Sequence, residues 1–434
     1  MRSKFYALLF VSILMLCVDL VPAQAQFLGI GKHPLLDLLA LAPDTPEVRD
    51  TWIRYMDFRA VEEARDWMQR PESAETLFAD SSWIGFTYRW LSAPDSVRQS
   101  FFEAARMPEV VGFDIFDVDR TLSFGKPPSH GVIWSGDFDL AAIAATHAAR
   151  GYIQTEIHGV PAWCSGDGCA AGMNVNPTER DLANIFDTGI GREVPFLLLP
   201  NLLVSAPDET TLERVADVTT GDLPSLAEAE DYHTLAEALI DPSVYMGQLV
   251  NLQFLPNEDV RFVLDLTADD VAAQVLSRVP DPQRAENFIR NAFVGYGDLP
   301  LYQLAAIADR QEGDRQVAIV ALLYTNAEDA QIAAPELMYR MSTFSDLMIR
   351  ELTESLFDLM PGMDYQSHVY TSEPSGLSVA VVEMRYDTPT EAQEKASSSD
   401  PESMTAALAF QYLLRTIFSN SLYPLWVINF PEGN

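Results

Sequence analysis

Lysine is almost absent from this chain of 434 residues. Its four lysines are Lys4, Lys32, Lys126 and Lys395, and lysine and arginine together number 28 against 63 aspartates and glutamates. The formal net charge is therefore −35 at pH 7. Because the backbones of DNA and RNA bind to basic surfaces, this shortage of positive charge excludes a nucleic acid as the expected partner.

The excess carboxylates are spread along the sequence and form no acidic block. A surface rich in carboxylates and poor in lysine stays hydrated in concentrated salt, where the repulsion between its charges is screened. We therefore predict an acidic, salt-tolerant surface. An acidic face that holds cations or a basic partner is the alternative interpretation.

Long hydrophobic runs are also missing. The run from Phe5 to Val18 has about 14 residues, too few to span the ~30 Å of a bilayer core. It follows the basic residues Arg2 and Lys4 and precedes the small-residue segment Pro22–Ala25. This arrangement is typical of a cleaved secretory signal peptide.

The predicted cleavage lies between Ala25 and Gln26, and the mature chain is expected to be secreted, periplasmic or held at the cell envelope. Lipidation at Cys17 is disfavoured, because Leu16 stands where a lipoprotein peptidase prefers a small side chain. No later run is apolar enough to predict a membrane span in the mature chain.

Cysteine is scarce as well, with three residues in the whole chain. Cys17 leaves with the signal peptide, and the remaining Cys164 and Cys169 predict a disulfide at a hairpin tip in an oxidising compartment. A redox pair usually has a two-residue spacer, and a zinc site needs more ligands than these two cysteines and His158.

Strand and helix patterns alternate near 131–163 and again near 316–386. This rhythm predicts an α+β protein with two related layered domains, in which helices pack on one face of mixed or antiparallel sheets. The predicted parts are a signal peptide at 1–25, an N-terminal domain at 26–230 and a C-terminal domain at 231–434. The boundary falls near 222–242, and the low-complexity stretch at about 387–404 is expected to be a mobile loop.

Several local elements are predicted from periodicity and from turn or capping residues. They are a helix over 140–150 with Asp139 as its cap, one strand from Tyr152 to Trp163, two short strands over 194–205 split by Pro200-Asn201, helices over 208–218 and 225–240, a strand over 316–325, a helix over 326–341, a hairpin over 366–386, a helix over 405–418 and a strand over 422–430.

Several segments resemble parts of uncharacterised exported bacterial proteins. They are Gly112–Arg120, Phe124–Pro128, Gly136–Asp139, Gly151–Tyr152, Ser225–Glu228 and Tyr232. The resemblance covers about residues 50 to 345 and implies a secreted α+β protein. It implies no activity, since its shared features are turns and caps.

The pattern Asp117-Val118-Asp119-Arg120-Thr121 matches the Asp-x-Asp-x-Thr signature of haloacid-dehalogenase-type phosphatases. That chemistry would make Asp117 the nucleophile and Asp119 the general acid or base, with a bound magnesium ion. That family also needs a downstream lysine or arginine for the phosphate and a later acidic pair for magnesium. No lysine lies between Lys126 and Lys395, and Gly136-Asp137 comes too early to be the acidic pair. A polar turn is therefore the favoured interpretation of this segment.

Asp137, Asp139 and Asp167 are candidates for a calcium site, because carboxylate oxygens suit that ion. Their spacing fits no calcium loop, and helix capping and turn chemistry account for all three. His147 falls on the predicted 140–150 helix, where a surface or core-edge position is expected. We predict no resident metal or cofactor.

The sequence therefore favours an exported, acidic, non-enzymatic protein that binds a ligand or partner or has a structural role. A metal-dependent hydrolase that uses Asp117 and Asp119 is the alternative. The position of Asp117 separates the two hypotheses. A hydrolase needs it at the carboxyl end of a parallel strand facing a cleft, whereas a turn needs its side chain as a cap.

Overall fold

A twelve-stranded antiparallel sheet forms the centre of the protein. The computed structural model describes residues 33–64, 89–127, 129–165, 168–169, 178, 180–186, 193–255, 296–343, 362–388, 410 and 413–414. Across the sheet the strands follow the order β11-β12-β10-β9-β8-β1-β2-β3-β7-β6-β5-β4, and every neighbouring pair is antiparallel.

The strands are β1 (Ile53–Asp57), β2 (Val118–Lys126), β3 (Ser129–Gly136), β4 (Tyr152–Ile157), β5 (Val160–Ser165), β6 (Phe196–Leu199), β7 (Leu202–Ser205), β8 (Gln248–Leu255), β9 (Leu304–Glu312), β10 (Arg315–Tyr324), β11 (Asp364–Thr371) and β12 (Ser378–Asp387). The helices are α1 (Pro34–Leu39), α2 (Pro46–Arg49), α3 (Phe58–Ala64), α4 (Asp95–Ser100), α5 (Met107–Val110), α6 (Leu140–Ala149), α7 (Glu209–Thr220), α8 (Glu230–Ile240) and α9 (Ala327–Thr343), with 3-10 turns at Phe101–Arg106 and Ile115–Asp117.

Helices cover both faces of this sheet. Alternate residues of a strand point to opposite faces. In β10, Val317 and Ile319 pack in the core beneath α1, α7 and α8, which we call the first face. Ala318 and Val320 pack in the core beneath α9 on the second face, where Met56 of β1 also joins α3, α4 and α6.

The mixed α+β class is therefore confirmed, but the prediction of helices on one face is not. The reason lies in strands such as β10, whose residues 317–324 are apolar at every position and are all buried. A strand of this composition needs an apolar cover on both of its sides. Among the described residues, no helix is long and apolar enough to cross a membrane.

The two halves of the sheet share one order of elements. Apart from the helices and 3-10 turns between β1 and β2, the first half runs β1-β2-β3-α6-β4-β5, and the described elements of the second run β8-β9-β10-α9-β11-β12. Read outward from the β1–β8 pair, β1, β2 and β3 mirror β8, β9 and β10, and each half ends in a hairpin that follows its helix. The first half carries one extra hairpin, β6–β7, between β3 and β5. The sheet continues across both halves, and the predicted domain boundaries stay a prediction.

Most of the predicted local elements that fall on described residues occur. Asp139 caps α6, Asp208 caps α7, and the β6–β7 turn falls at Pro200-Asn201. The segment from Tyr152 to Trp163, however, is a hairpin and not one strand, because it turns at His158-Gly159. The predicted signal peptide and the strand over 422–430 lie outside the described residues, as does nearly all of the predicted 387–404 loop and the 405–418 helix.

Candidate functional site

The structure places Asp117 in a turn at the start of β2. Its carboxylate accepts a hydrogen bond from the backbone amide of Asp114 at 2.8 Å, within a capping box. Asp119 forms an ion pair with Arg59 at 2.8 Å. Both neighbours of β2 run antiparallel to it. These contacts agree with the polar-turn interpretation, and they do not give Asp117 the position that a hydrolase needs.

The three calcium candidates have different surroundings. Asp139 caps α6, where its carboxylate accepts hydrogen bonds from the amides of Ala141 at 3.0 Å and Ala142 at 3.1 Å. Asp137 is exposed, and Asp167 lies outside the described residues. Within the described part of the chain, no group of three or more histidine, cysteine, aspartate or glutamate side chains is arranged to hold a metal ion.

Cys164 and Cys169 form the predicted disulfide. Their Cα atoms are 4.7 Å apart, and both side chains are buried in the first-face core. The tip of the β4–β5 hairpin lies at His158-Gly159. The disulfide is therefore at the other end of β5 and not at the hairpin tip. His158 pairs with Asp217 of α7 and not with the cysteines.

Reduction of this disulfide should lower the free energy of unfolding by about 2 kcal/mol, because a short covalent loop no longer restricts the unfolded chain. Urea unfolding with and without reductant measures the change, and a Cys164→Ala/Cys169→Ala variant serves as the insensitive control. Thiol labelling of the folded, oxidised protein should find no free thiol at either position. Equal stability in both redox states would contradict a structural bridge.

A charged cluster on the first face was not singled out from the sequence. Glu383 of β12 is almost completely buried and accepts hydrogen bonds from Arg385, whose Nε lies 2.7 Å away. Arg385 also pairs with Glu312 at 2.7 Å. His368 of β11 places its Nδ1 3.4 Å from a Glu383 oxygen. We call these four side chains the Glu383 cluster.

The end of α8 is fastened to the sheet beside this cluster. Arg310 of β9 donates a hydrogen bond to the Leu239 carbonyl at 2.6 Å and lies over the Tyr245 ring, 4.2 Å from its centroid. Burial raises the pKa of Tyr245 above its usual range, and burial lowers the pKa of His368 against the opposing effect of Glu383. Both groups are thus held neutral at pH 7.

β11 lies at one end of the sheet. Among the described strands it pairs with β12 alone, along all eight of its residues. None of these eight residues is buried, whereas eight of the ten residues of β12 are. Within the part of the chain that the structure describes, the strand therefore presents one backbone edge away from the sheet.

Two hydrogen bonds reveal which backbone groups of β11 point outward. The Ser372 amide donates to the Leu377 carbonyl, and the Thr388 amide donates to the Asp314 carbonyl. Hydrogen-bonded pairs alternate along an antiparallel ladder. The even-numbered residues of β11 therefore bond to β12, and the amides and carbonyls of Ser367, Val369 and Thr371 point away from it.

Helices flank this edge on both faces. On the first face, the Tyr370 hydroxyl donates to the Glu237 carboxylate of α8 at 3.2 Å. On the second face, Tyr365 and Val369 pack against the core beneath α9. β11 therefore has α8 beside it on the first face and α9 on the second face.

The sequence predicted this hairpin but not its place in the sheet. Apolar residues on both sides of Ser372–Gly376 are a sufficient signal for β11 and β12. A strand lies at the edge of a sheet when no other strand pairs with its second side. That outcome depends on contacts between residues that are far apart in the sequence. The one local signal was the polar sequence of β11, with Asp364, Gln366 and Ser367, beside the apolar run 379–382 of β12.

The chain matches no protein-family model and no curated protein. Among solved structures it is similar to crystal form I of TP0453, with 9% sequence identity and a TM-score of 0.32 over 85% of this chain and 97% of the other. Crystal form IV of TP0453 gives the same identity and TM-score over 83% of this chain and 98% of the other. A TM-score of this size supports no conclusion about fold or function.

Proposed function

We propose that this chain is an exported, non-enzymatic protein that binds an extended segment of a partner protein along β11. The observation that carries the proposal is the eight-residue edge strand, with its outward backbone groups at Ser367, Val369 and Thr371. The signal-peptide pattern at 1–25 supports export. The acidic composition supports a salt-tolerant surface outside the cytoplasm.

The proposed mode of binding is strand addition. Backbone hydrogen bonds from the added segment supply affinity, and the side chains that alternate along it supply specificity. β11 suits this mode because it pairs with β12 along its whole length, so its extended conformation is already formed before a partner binds. The opposite edge strand of the described sheet, β4, is shorter, with six residues, of which the middle four are exposed.

We also propose that the two halves of the sheet are related copies of one unit. The shared order of strand, strand, strand, helix and hairpin supports this. On this proposal β11 corresponds to β4, and the binding edge belongs to the second copy. The added hairpin β6–β7 then distinguishes the first copy.

A Ser367→Pro variant should lose binding to peptides that recognise the β11 edge. Random peptides of about twelve residues, displayed on phage and selected on the wild-type protein, provide the probe. Selected peptides are then synthesised and titrated against the variants. We expect the proline variant to bind about tenfold or more weakly, because it lacks the central outward N–H and its ring obstructs the approaching strand.

Two matched variants make this test specific. Ser367→Ala keeps the amide and should bind like the wild type. Gln154→Pro places the same change at an outward position of β4 and should also bind like the wild type. Circular dichroism melting checks that each variant is folded. Selected peptides that bind Ser367→Pro as tightly as the wild type would overturn strand addition at β11.

A further inference from the structure

We infer that the segment added to β11 is basic on the side that faces α8 and apolar on the side that faces α9. This inference rests on the proposed function, because it describes the partner of the same edge. It is carried by the side chains that the two faces of β11 present and by the charges that surround them.

On the first face, the side chains of β11 are those of Asp364, Gln366, His368 and Tyr370. Asp364 is exposed. The carboxylates of Glu237 and Asp241, at the end of α8, are close enough to Tyr370 to help raise its pKa to about 12, after the larger effect of burial. A strand that pairs with β11 lays its own first-face side chains beside these groups.

The positive charges near this edge are already paired. Arg385 binds Glu383 and Glu312, and Arg315 lies 3.9 Å from Asp387 at the end of β12. His233 pairs with Glu237 at 3.1 Å. Among the described residues, the carboxylates around the first-face side of the edge therefore outnumber the guanidinium groups. They are Asp364, Glu237, Asp241, Glu383, Glu312 and Asp387 against Arg385, Arg315 and Arg310.

The second face of β11 offers different surroundings. Tyr365 and Val369 are half-buried against the core beneath α9, with Ser367 between them. Side chains placed beside them lie next to apolar surface, where a charge would lose solvation without gaining a partner. Because successive residues of a strand alternate between the faces, the best fit is a segment in which basic and apolar residues alternate.

Three synthetic peptides of about ten residues test this inference. All have valine at alternate positions, and the intervening positions are lysine, serine or glutamate. We expect the Lys–Val peptide to bind about tenfold more tightly than the Ser–Val peptide, and the Glu–Val peptide to bind more weakly than either. The advantage of the Lys–Val peptide should decrease as salt screens the exposed charges.

Charge-neutralising variants identify the groups responsible. Asp364→Asn and Glu237→Gln should each weaken binding of the Lys–Val peptide about three- to fivefold and leave the Ser–Val peptide unchanged. Glu156→Gln on β4 is the matched control and should change neither. Equal affinities for the Lys–Val and Ser–Val peptides would overturn the basic partner. If Ser367→Pro still weakens the binding of the Lys–Val and Ser–Val peptides in that case, strand addition at β11 stands without a preference for a basic partner. If Ser367→Pro changes the binding of no peptide, strand addition itself is wrong.

Discussion

The Asp309→Ala variant should have a free energy of unfolding about 3–5 kcal/mol below that of the wild-type protein. Asp309 of β9 pairs with Arg89, whose guanidinium lies 3.0 Å away, and both side chains are 1% exposed. Removal of the carboxylate leaves a buried guanidinium with its main counter-charge gone. The penalty for that uncompensated charge, and not the loss of one contact, sets the size of the effect.

The surrounding contacts explain why the pair does not relax easily. Arg89 also donates to Gln311 at 2.6 Å, and Asn251 donates to Asp309 at 3.0 Å. The backbone amide of Ser92 donates to the side-chain oxygen of Asn251 at 3.0 Å. The Asn251 side chain therefore also connects the segment after Arg89 to β8. Burial raises the pKa of Asp309, while Arg89 and Asn251 favour its charged form.

Two variants and one control sharpen this prediction, with urea midpoints as the measurement. A double variant, Arg89→Met with Asp309→Leu, should recover much of the loss, because it removes both buried charges together. As the control, Asp95→Ala breaks an ion pair with Arg98, in which the Asp95 side chain is 69% exposed and the Arg98 side chain is 47% exposed. It should change stability by about 0.5 kcal/mol or less. A loss below about 1 kcal/mol for Asp309→Ala would contradict a buried, charged pair.

The sequence was most informative where a local rule decides the outcome. Asp139 caps the N-terminus of α6, where its carboxylate accepts hydrogen bonds from two backbone amides. Gly151 follows the end of the helix and has a φ of 89°. Asn201, which has a φ of 57°, lies in the turn that connects β6 to β7. Each of these is a property of a few consecutive residues, and so the sequence alone could predict it.

Local rules failed where another local contact competed. The turn between β4 and β5 uses His158 with a φ of 47°, a conformation that is uncommon for any residue other than glycine, and so the pattern suggested one continuous strand. Helix α8 begins at Glu230 and not at Ser225. The residues before it form their own turn, in which the Ser225 amide donates to the Glu228 carboxylate at 3.0 Å.

The candidate site depended on contacts that no short segment contains. The pairing of β1 with β8 joins the two halves of the sheet, and Arg89 and Asp309 are 220 residues apart. These long-range contacts leave β11 at the edge. The hairpin was therefore predictable, whereas its exposure, its flanking helices and its nearby carboxylates were not.

His147 was expected at the surface or core edge, but it is completely buried on α6. Its ring lies against those of Tyr152, Phe196 and Phe186, with centroids 4.8, 4.7 and 5.5 Å away. Burial, with a smaller contribution from Arg150, lowers the pKa of His147 to about 3 against the opposing effect of the Val111 backbone. The folded protein therefore holds a neutral imidazole here at pH 7.

The wild-type protein should lose stability in acid because of this residue. The unfolded chain takes up a proton near the ordinary histidine pKa of 6.5, whereas the folded chain does not until the pH approaches 3. The contribution of His147 is fully present above pH 6.5 and is lost as the pH falls through that window. Its slope approaches about 1.4 kcal/mol per pH unit, the value for one proton.

A His147→Leu variant should therefore have a flatter stability profile between pH 6 and pH 4 than the wild type, by about one proton in the urea-unfolding slope. His33, whose pKa burial lowers to about 4, keeps its own acid dependence in both proteins. His158→Gln is the control. The exposed His158 has a pKa raised by Asp217. Its contribution to the free energy of unfolding is therefore present in acid and is lost as the pH rises. That variant should leave the acid slope unchanged. Identical slopes for the wild type and His147→Leu would mean that the folded protein already protonates His147 in this range, which its aromatic surroundings should prevent.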